Sequence, residues 1–144
     1  MKSRLRKNKQ IIFDEKNGDC MRASLTSMLG LPNDPKVVPL GGANEDFWTK
    51  CYKFLYQFGL TLTFEQKACW RNEYWMGSVK SKNFKGGSHS IVMKGSKVWH
   101  DPSTHKRYRA GESLLGKDVI NGGHFLEVID PSKLYKLELF RQKI

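Results

Sequence analysis

Residues 88–101, SHSIVMKGSKVWHD, place the strongest constraint on the fold. Ser88 to Val92 ends in β-branched and apolar residues, Met93-Lys94-Gly95-Ser96 turns the chain, and Lys97 to Asp101 returns. The pattern predicts a hairpin, and therefore an antiparallel pair. Its register decides what it carries. A three-residue loop, Lys94-Gly95-Ser96, pairs Ile91 with Trp99 and sets His89 opposite Asp101 on one face. A two-residue loop sets His89 opposite Pro102 instead, unless a bulge at Gly95 intervenes.

Upstream, the periodicity is helical first and alternating later. Asn17-Gly18 signals a turn, after which Asp19 can cap a helix from about Cys20 to Leu29, with Gly30 and then Pro32 ending it. The short residues Ala23, Ser24 and Ser27 let a neighbour pack closely. Phe47, Cys51, Phe54, Leu55 and Phe58 recur at helical spacing, predicting a core-facing helix over 45–58, opened by Asn44 and stopped by Gly59. Residues 60–65, 73–80 and 125–129 read as strands, and Ile11-Ile12-Phe13 as a small one. Residues 103–123 are polar, with one helical turn near Ser113–Leu115, and 131–140 read as a turn and a final strand. A helix pair followed by mostly antiparallel strands is an α+β arrangement rather than alternating βαβ. The 144 residues suit a single domain, 1–144, in which 1–9 form a solvated basic arm: Lys2, Arg4, Arg6, Lys7 and Lys9 without an acid.

Lysine and arginine number 25 against 14 acids, for a net charge of +11. Such a surface favours anionic partners: nucleic acid, an acidic protein or an anionic membrane, and charge alone does not choose among them. Lys106, Arg107 and Arg109 add a local cluster, although no recognised nucleic-acid motif accompanies it. The three cysteines, Cys20, Cys51 and Cys69, form no CxxC pattern, so a reducing compartment is expected rather than a disulfide framework. No apolar run follows the basic start. A cytoplasmic protein with no membrane partner is expected. The cysteines and histidines lack close ligand pairs, so neither metal nor cofactor is expected.

Three residues can carry chemistry together. Cys20 stands at a helix N-terminus, where the dipole and free N–H groups favour the reactive thiolate. His89 begins the hairpin and Asp101 ends it. Thiol, imidazole and orienting carboxylate are the nucleophile, base and orienter of acyl transfer. The Cys20 N–H would supply one oxyanion donor, with a side-chain donor beside it. The plainer readings stay open: cysteine is often inert core, and Asp-Pro is a common turn pair. Cys51 and Cys69 read as structural, His100 should alternate to the opposite strand face, and His105 and His124 have no evident partner. Trp70 and Trp75 flank a polar stretch; they line a substrate groove or stack bases, or else cover a small core.

The segments DCMRASLTSMLGLP and HSIVMKGSKVWHDPS together resemble the papain-like cysteine peptidases. The likeness is greatest to the C39-peptidase-like branch and to small stand-alone members encoded by bacteriophages and bacteria. The matching positions are Asp19, Cys20, Ala23, His89, Val92, Asp101 and Pro102, over roughly residues 10–103. The resemblance implies a papain-like α+β fold, with the Cys-bearing helix packed on a small antiparallel sheet. It also implies Cys20 as nucleophile, His89 as base and Asp101 as orienter. Two positions depart from the pattern: Met21 stands where glycine is common, and Asp14 where the oxyanion glutamine is placed. Gln10, further upstream, and Asn17 are the candidates for that donor. The expected function is a thiol hydrolase cleaving an amide, isopeptide or thioester bond of a protein or peptide, to which basic charge could recruit an acidic substrate. The alternative is an inactive papain-like fold binding nucleic acid or an acidic protein.

Overall fold

A computed structural model describes residues 5–12, 19–41, 46–80, 88–103, 108–114 and 119–144. Lys2, Arg4, Phe13, Asp14, Asn17, Gly18, Asn44, His105, Lys106, Arg107 and Leu115, all named above, lie outside them.

Helix α1 (Cys20–Leu29) occupies its expected span. It ends as the glycine predicts. Gly30 takes φ 69°, its N–H reaches Ser27 O, and Leu31 N–H reaches Thr26 O, the paired bonds of a Schellman close. From Arg22 to Leu29 every residue is buried. Two of the hydroxyls inside bond within the helix, Thr26 Oγ1 to Arg22 O at 2.8 Å and Ser27 Oγ to Ala23 O at 2.7 Å, whereas the buried Ser24 Oγ has no partner among the described residues. Helix α2 (Phe47–Tyr56) follows, shorter than expected, burying Phe47, Cys51, Phe54 and Leu55 along one stripe.

The strands are β1 (Leu60–Glu65), β2 (Tyr74–Lys80), β3 (Ser88–Lys94), β4 (Lys97–His100) and β5 (Val119–Val128). They form one sheet in the order β1-β5-β2-β3-β4, antiparallel at every pairing. With α3 (Tyr135–Gln142) the described residues make an α+β fold of three helices and five strands. One face of the sheet packs α1 and α2 through Leu60, Leu62, Met76 and Val92. The other face holds a second core of Trp75, Val79, Ile91, Met93, Val98 and Phe125, closed by Tyr108 and Leu114. Among the described residues no helix is long and apolar enough to cross a membrane.

Four expectations are corrected. The last element is helix α3, not a strand. Leu134, Leu137 and Phe140 recur at threes, and Asp130 with Pro131 opens a helical turn through the bond from Ser132 N–H to Asp130 Oδ1. Ser113 makes a bridge to Lys97 rather than a helical turn. Ile11 and Ile12 form no strand; their N–H groups bind a side chain, described below. Residues 5–9 are not a solvated arm. Arg6 N–H bonds Ser27 O, Asn8 spans Ser27, Thr26 and Leu31, and His100 Nε2 meets Asn8 O, so the segment covers α1.

Candidate active site

The hairpin closes with the two-residue loop Gly95-Ser96, Gly95 at φ 59°, pairing Lys94 with Lys97 and Met93 with Val98. Taken alone, that register would separate His89 from Asp101. The next pair, however, is Val92 with His100, so Trp99 is an extra residue in β4. A bulge of one residue reverses which side the following side chains take. Counted onward, Ile91 falls opposite Asp101, and His89 becomes the diagonal neighbour of Asp101 on the same side. His89 Nε2 then lies 2.6 Å from Asp101 Oδ1. The bulge falls at Trp99, not at Gly95.

Asp101 is buried, and its carboxylate also accepts Ser103 N–H at 2.9 Å and Tyr108 N–H at 3.2 Å. Burial alone would raise its pKa; the His89 bond and charge and these N–H groups outweigh that and hold it below the usual carboxylate range. With Nε2 taken by Asp101, the His89 ring keeps Nδ1 for Cys20. Burial disfavours charge on His89, but Asp101 and Cys20 together push its pKa up to about 9.

Cys20 is the first residue of α1 and is partly exposed. Pairing between β3 and β4 stops at Val92, and beyond it the Ser90 N–H donates to Cys20 Sγ at 3.5 Å. Burial pushes the thiol up; the hydrogen bond and charge of His89, with the Ser90 N–H, bring it below the ordinary thiol value. Cys51 shows the contrast. Buried on α2 with no such partner, it is pushed up to about 12. The sequence candidates Cys20, His89 and Asp101 are thus brought together, and Cys51 and Cys69 lie in the two cores.

Asp19 is fully buried and does not cap α1 with its side chain. Its carboxylate accepts Ile11 N–H, Ile12 N–H, Arg22 Nη2 at 3.0 Å and Asn33 Nδ2 at 2.9 Å. This buried ion pair ties the loop at 10–12 to the residue preceding Cys20. The same loop is tied to the other end of the site, because Gln10 N–H bonds Pro102 O at 2.8 Å. The Gln10 amide itself donates to Ile12 O at 3.3 Å. Asn17 lies outside the described residues.

Cys20 opens onto a cleft of about 360 Å³. Its apolar wall is Met21, Trp48, Phe64, Met76 and His124, and its polar side is Ser78, Ser88 and Ser90. Phe64, His124 and Met76 form one row across β1, β5 and β2, and Trp48 lies against His124 with ring centroids 4.6 Å apart. Burial lowers the His124 pKa, so this ring is neutral at pH 7. Among the described residues, no Lys, Arg, Asp or Glu lines the cleft.

The tryptophans expected at a substrate groove stand elsewhere. Trp75 is completely buried in the second core, and its indole N–H bonds Gly95 O at 2.8 Å. The glycine pair Gly77 and Gly123 makes room for it: a Cβ at Gly123 would come within 2.2 Å of the Trp75 ring. Trp70 is exposed, but at the far end of the hairpin, in a different groove. Trp48 is the tryptophan that lines the cleft beside Cys20. Its sequence signal was a place on α2 at the border of the buried stripe, one turn before Cys51 and Tyr52; Phe64 and His124 needed the β1–β5 pairing to be known.

Among the described residues, no group of three His, Cys, Asp or Glu is placed to hold a metal ion. No family model, curated protein or solved structure matches the chain.

Proposed function

We propose that this protein is a papain-like cysteine hydrolase that cleaves an amide, isopeptide or thioester bond. The observation that carries the reading is the single imidazole shared between Asp101, at 2.6 Å, and Cys20. The Cys20 thiolate attacks the carbonyl carbon, and the Cys20 N–H, in the helix's first turn, faces the oxyanion that forms. Gln10, on a loop bound to both Asp19 and Pro102, is the favoured side-chain donor. Protonated His89 gives its proton to the leaving group, and the carbonyl–nitrogen or carbonyl–sulfur bond breaks. His89 then takes a proton from water as that water attacks the thioester, releasing the acid and regenerating the thiolate. Asp101 stays ionised throughout and holds the ring.

The lining of the cleft favours an uncharged, apolar or flat group beside the scissile bond over the acidic substrate that the net charge suggests. Labelling with iodoacetamide at neutral pH tests the core of the reading. Cys20 should react far faster than Cys51 and Cys69, and His89→Ala should slow Cys20 labelling sharply by returning the thiol toward its protonated form. Equal rates at all three thiols, unchanged by His89→Ala, would sink it.

A further inference from the structure

The basic charge that the catalytic cleft leaves unused gathers at the other end of the hairpin. Strand β3 carries Ser90 beside Cys20 and Lys94 at the far end, about 13 Å of strand away. There a groove of about 570 Å³ runs between the Ala68–Trp70 turn and the Gly95-Ser96 loop. Two tryptophans and four cations line it: Trp70, Trp99, Lys7, Arg71, Lys94 and Lys97. Arg71 is neutralised by Glu73 at 2.5 Å, with Glu65 and Glu127 close by. Among the described residues, no carboxylate pairs with Lys7, Lys94 or Lys97. Lys7 and Lys94 lie over the rings of Trp99 and Tyr74 instead.

Trp70 is the sharper signal. It is 76% exposed, the most exposed of the large apolar side chains among the described residues, with Lys67, just before its short turn, over its ring. A large ring left in water costs hydration free energy that covering it would recover. Cations without a carboxylate partner among the described residues, set around an exposed aromatic ring, match a ligand with alternating anionic and flat groups. A chain of carboxylates would use only the lysines; a base-paired duplex would present no free base to the ring.

We propose that this groove binds single-stranded nucleic acid, with a base stacked on Trp70 and backbone phosphates on Lys94, Lys97 and Lys7. The site is separate from Cys20 and holds whether or not the thiol is catalytic.

Fluorescence anisotropy with the full chain and a labelled oligo(dT) of roughly 12 nucleotides at about 50 mM salt tests this. Binding should appear, and Trp70→Ala should weaken it about tenfold or more while Trp70→Phe retains most of it. The double variant Lys94→Gln/Lys97→Gln should flatten the slope of log K against log salt by about 1.4, two charges at roughly 0.7 each. All three positions are at the surface, and circular dichroism of each variant checks that the fold is intact. No binding at low salt overturns the proposal. So does binding that Trp70→Ala leaves unchanged, or polyglutamate or duplex DNA bound as tightly as the single strand.

Discussion

His89 Nε2 lies 2.6 Å from Asp101 Oδ1, and the two are brought to one side of the hairpin by a single extra residue, Trp99. The carboxylate is anchored independently of the imidazole by Ser103 and Tyr108 N–H groups. Asp101→Asn should therefore keep the fold but lose the charge that holds His89 protonated. The Cys20 thiol pKa should rise, each unit meaning about tenfold less thiolate at neutral pH. Rates of iodoacetamide labelling at pH 7 measure this, and an unchanged rate would separate Asp101 from Cys20 reactivity. Stability offers a second readout. Because the Asp101 pKa is depressed by folding, its contribution is present above the unfolded value and lost as pH falls through the folded one. Urea midpoints measured as pH falls below about 4 should drop less steeply for the variant.

The pH profile of hydrolysis should be a bell displaced at its acid side. The Cys20 pKa is lowered, so the thiolate persists below the ordinary thiol range and activity falls only at more acid pH. His89 is pushed up to about 9, so the proton needed by the leaving group is present at neutral pH and lost as pH rises through about 9. Labelling of Cys51, pushed up to about 12, should stay negligible across the same range and serves as the internal reference.

Trp48→Ala should remove one wall of the cleft without touching the reacting groups. Labelling by iodoacetamide, which reports thiolate alone, should be unchanged. Labelling by an electrophile carrying a benzyl group should slow, by about tenfold if the stacked contact is worth about 1–1.5 kcal/mol. Equal selectivity in the wild type and the variant would remove Trp48 from substrate recognition while leaving the thiol chemistry standing.

Asp19→Ala should be severely destabilising. It would leave Arg22, buried and within 3.0 Å of the lost carboxylate, without its counter-charge, along with the Ile11 and Ile12 N–H groups. Breaking such a buried pair costs about 3–5 kcal/mol. Urea unfolding measures it; a loss below about 1 kcal/mol would show that water replaces the carboxylate freely.

Much of this architecture was legible along the chain because the signals are local. A glycine able to take φ 69° ends α1 at Gly30, and the 3.6-residue spacing of Phe47, Cys51, Phe54 and Leu55 marks α2. The alternation around Gly95 marks the hairpin. Cys20 at a helix start, with His89 and Asp101 in one hairpin, could be picked out for the same reason. What only the tertiary structure decided depends on atoms far apart in sequence. The bulge at Trp99 sets the side on which Asp101 emerges, and nothing near Trp99 in the chain announces it. Asp19 turned from cap to buried anchor because Arg22, Asn33 and the loop at 10–12 converge on it. Trp75 went inward because Gly77 and Gly123, 46 residues apart, leave a gap of its size, while Trp48 met His124 only once α2 packed on β1 and β1 paired with β5. Local preferences set where helices and strands begin and end; packing between distant segments set which side chains share a cleft.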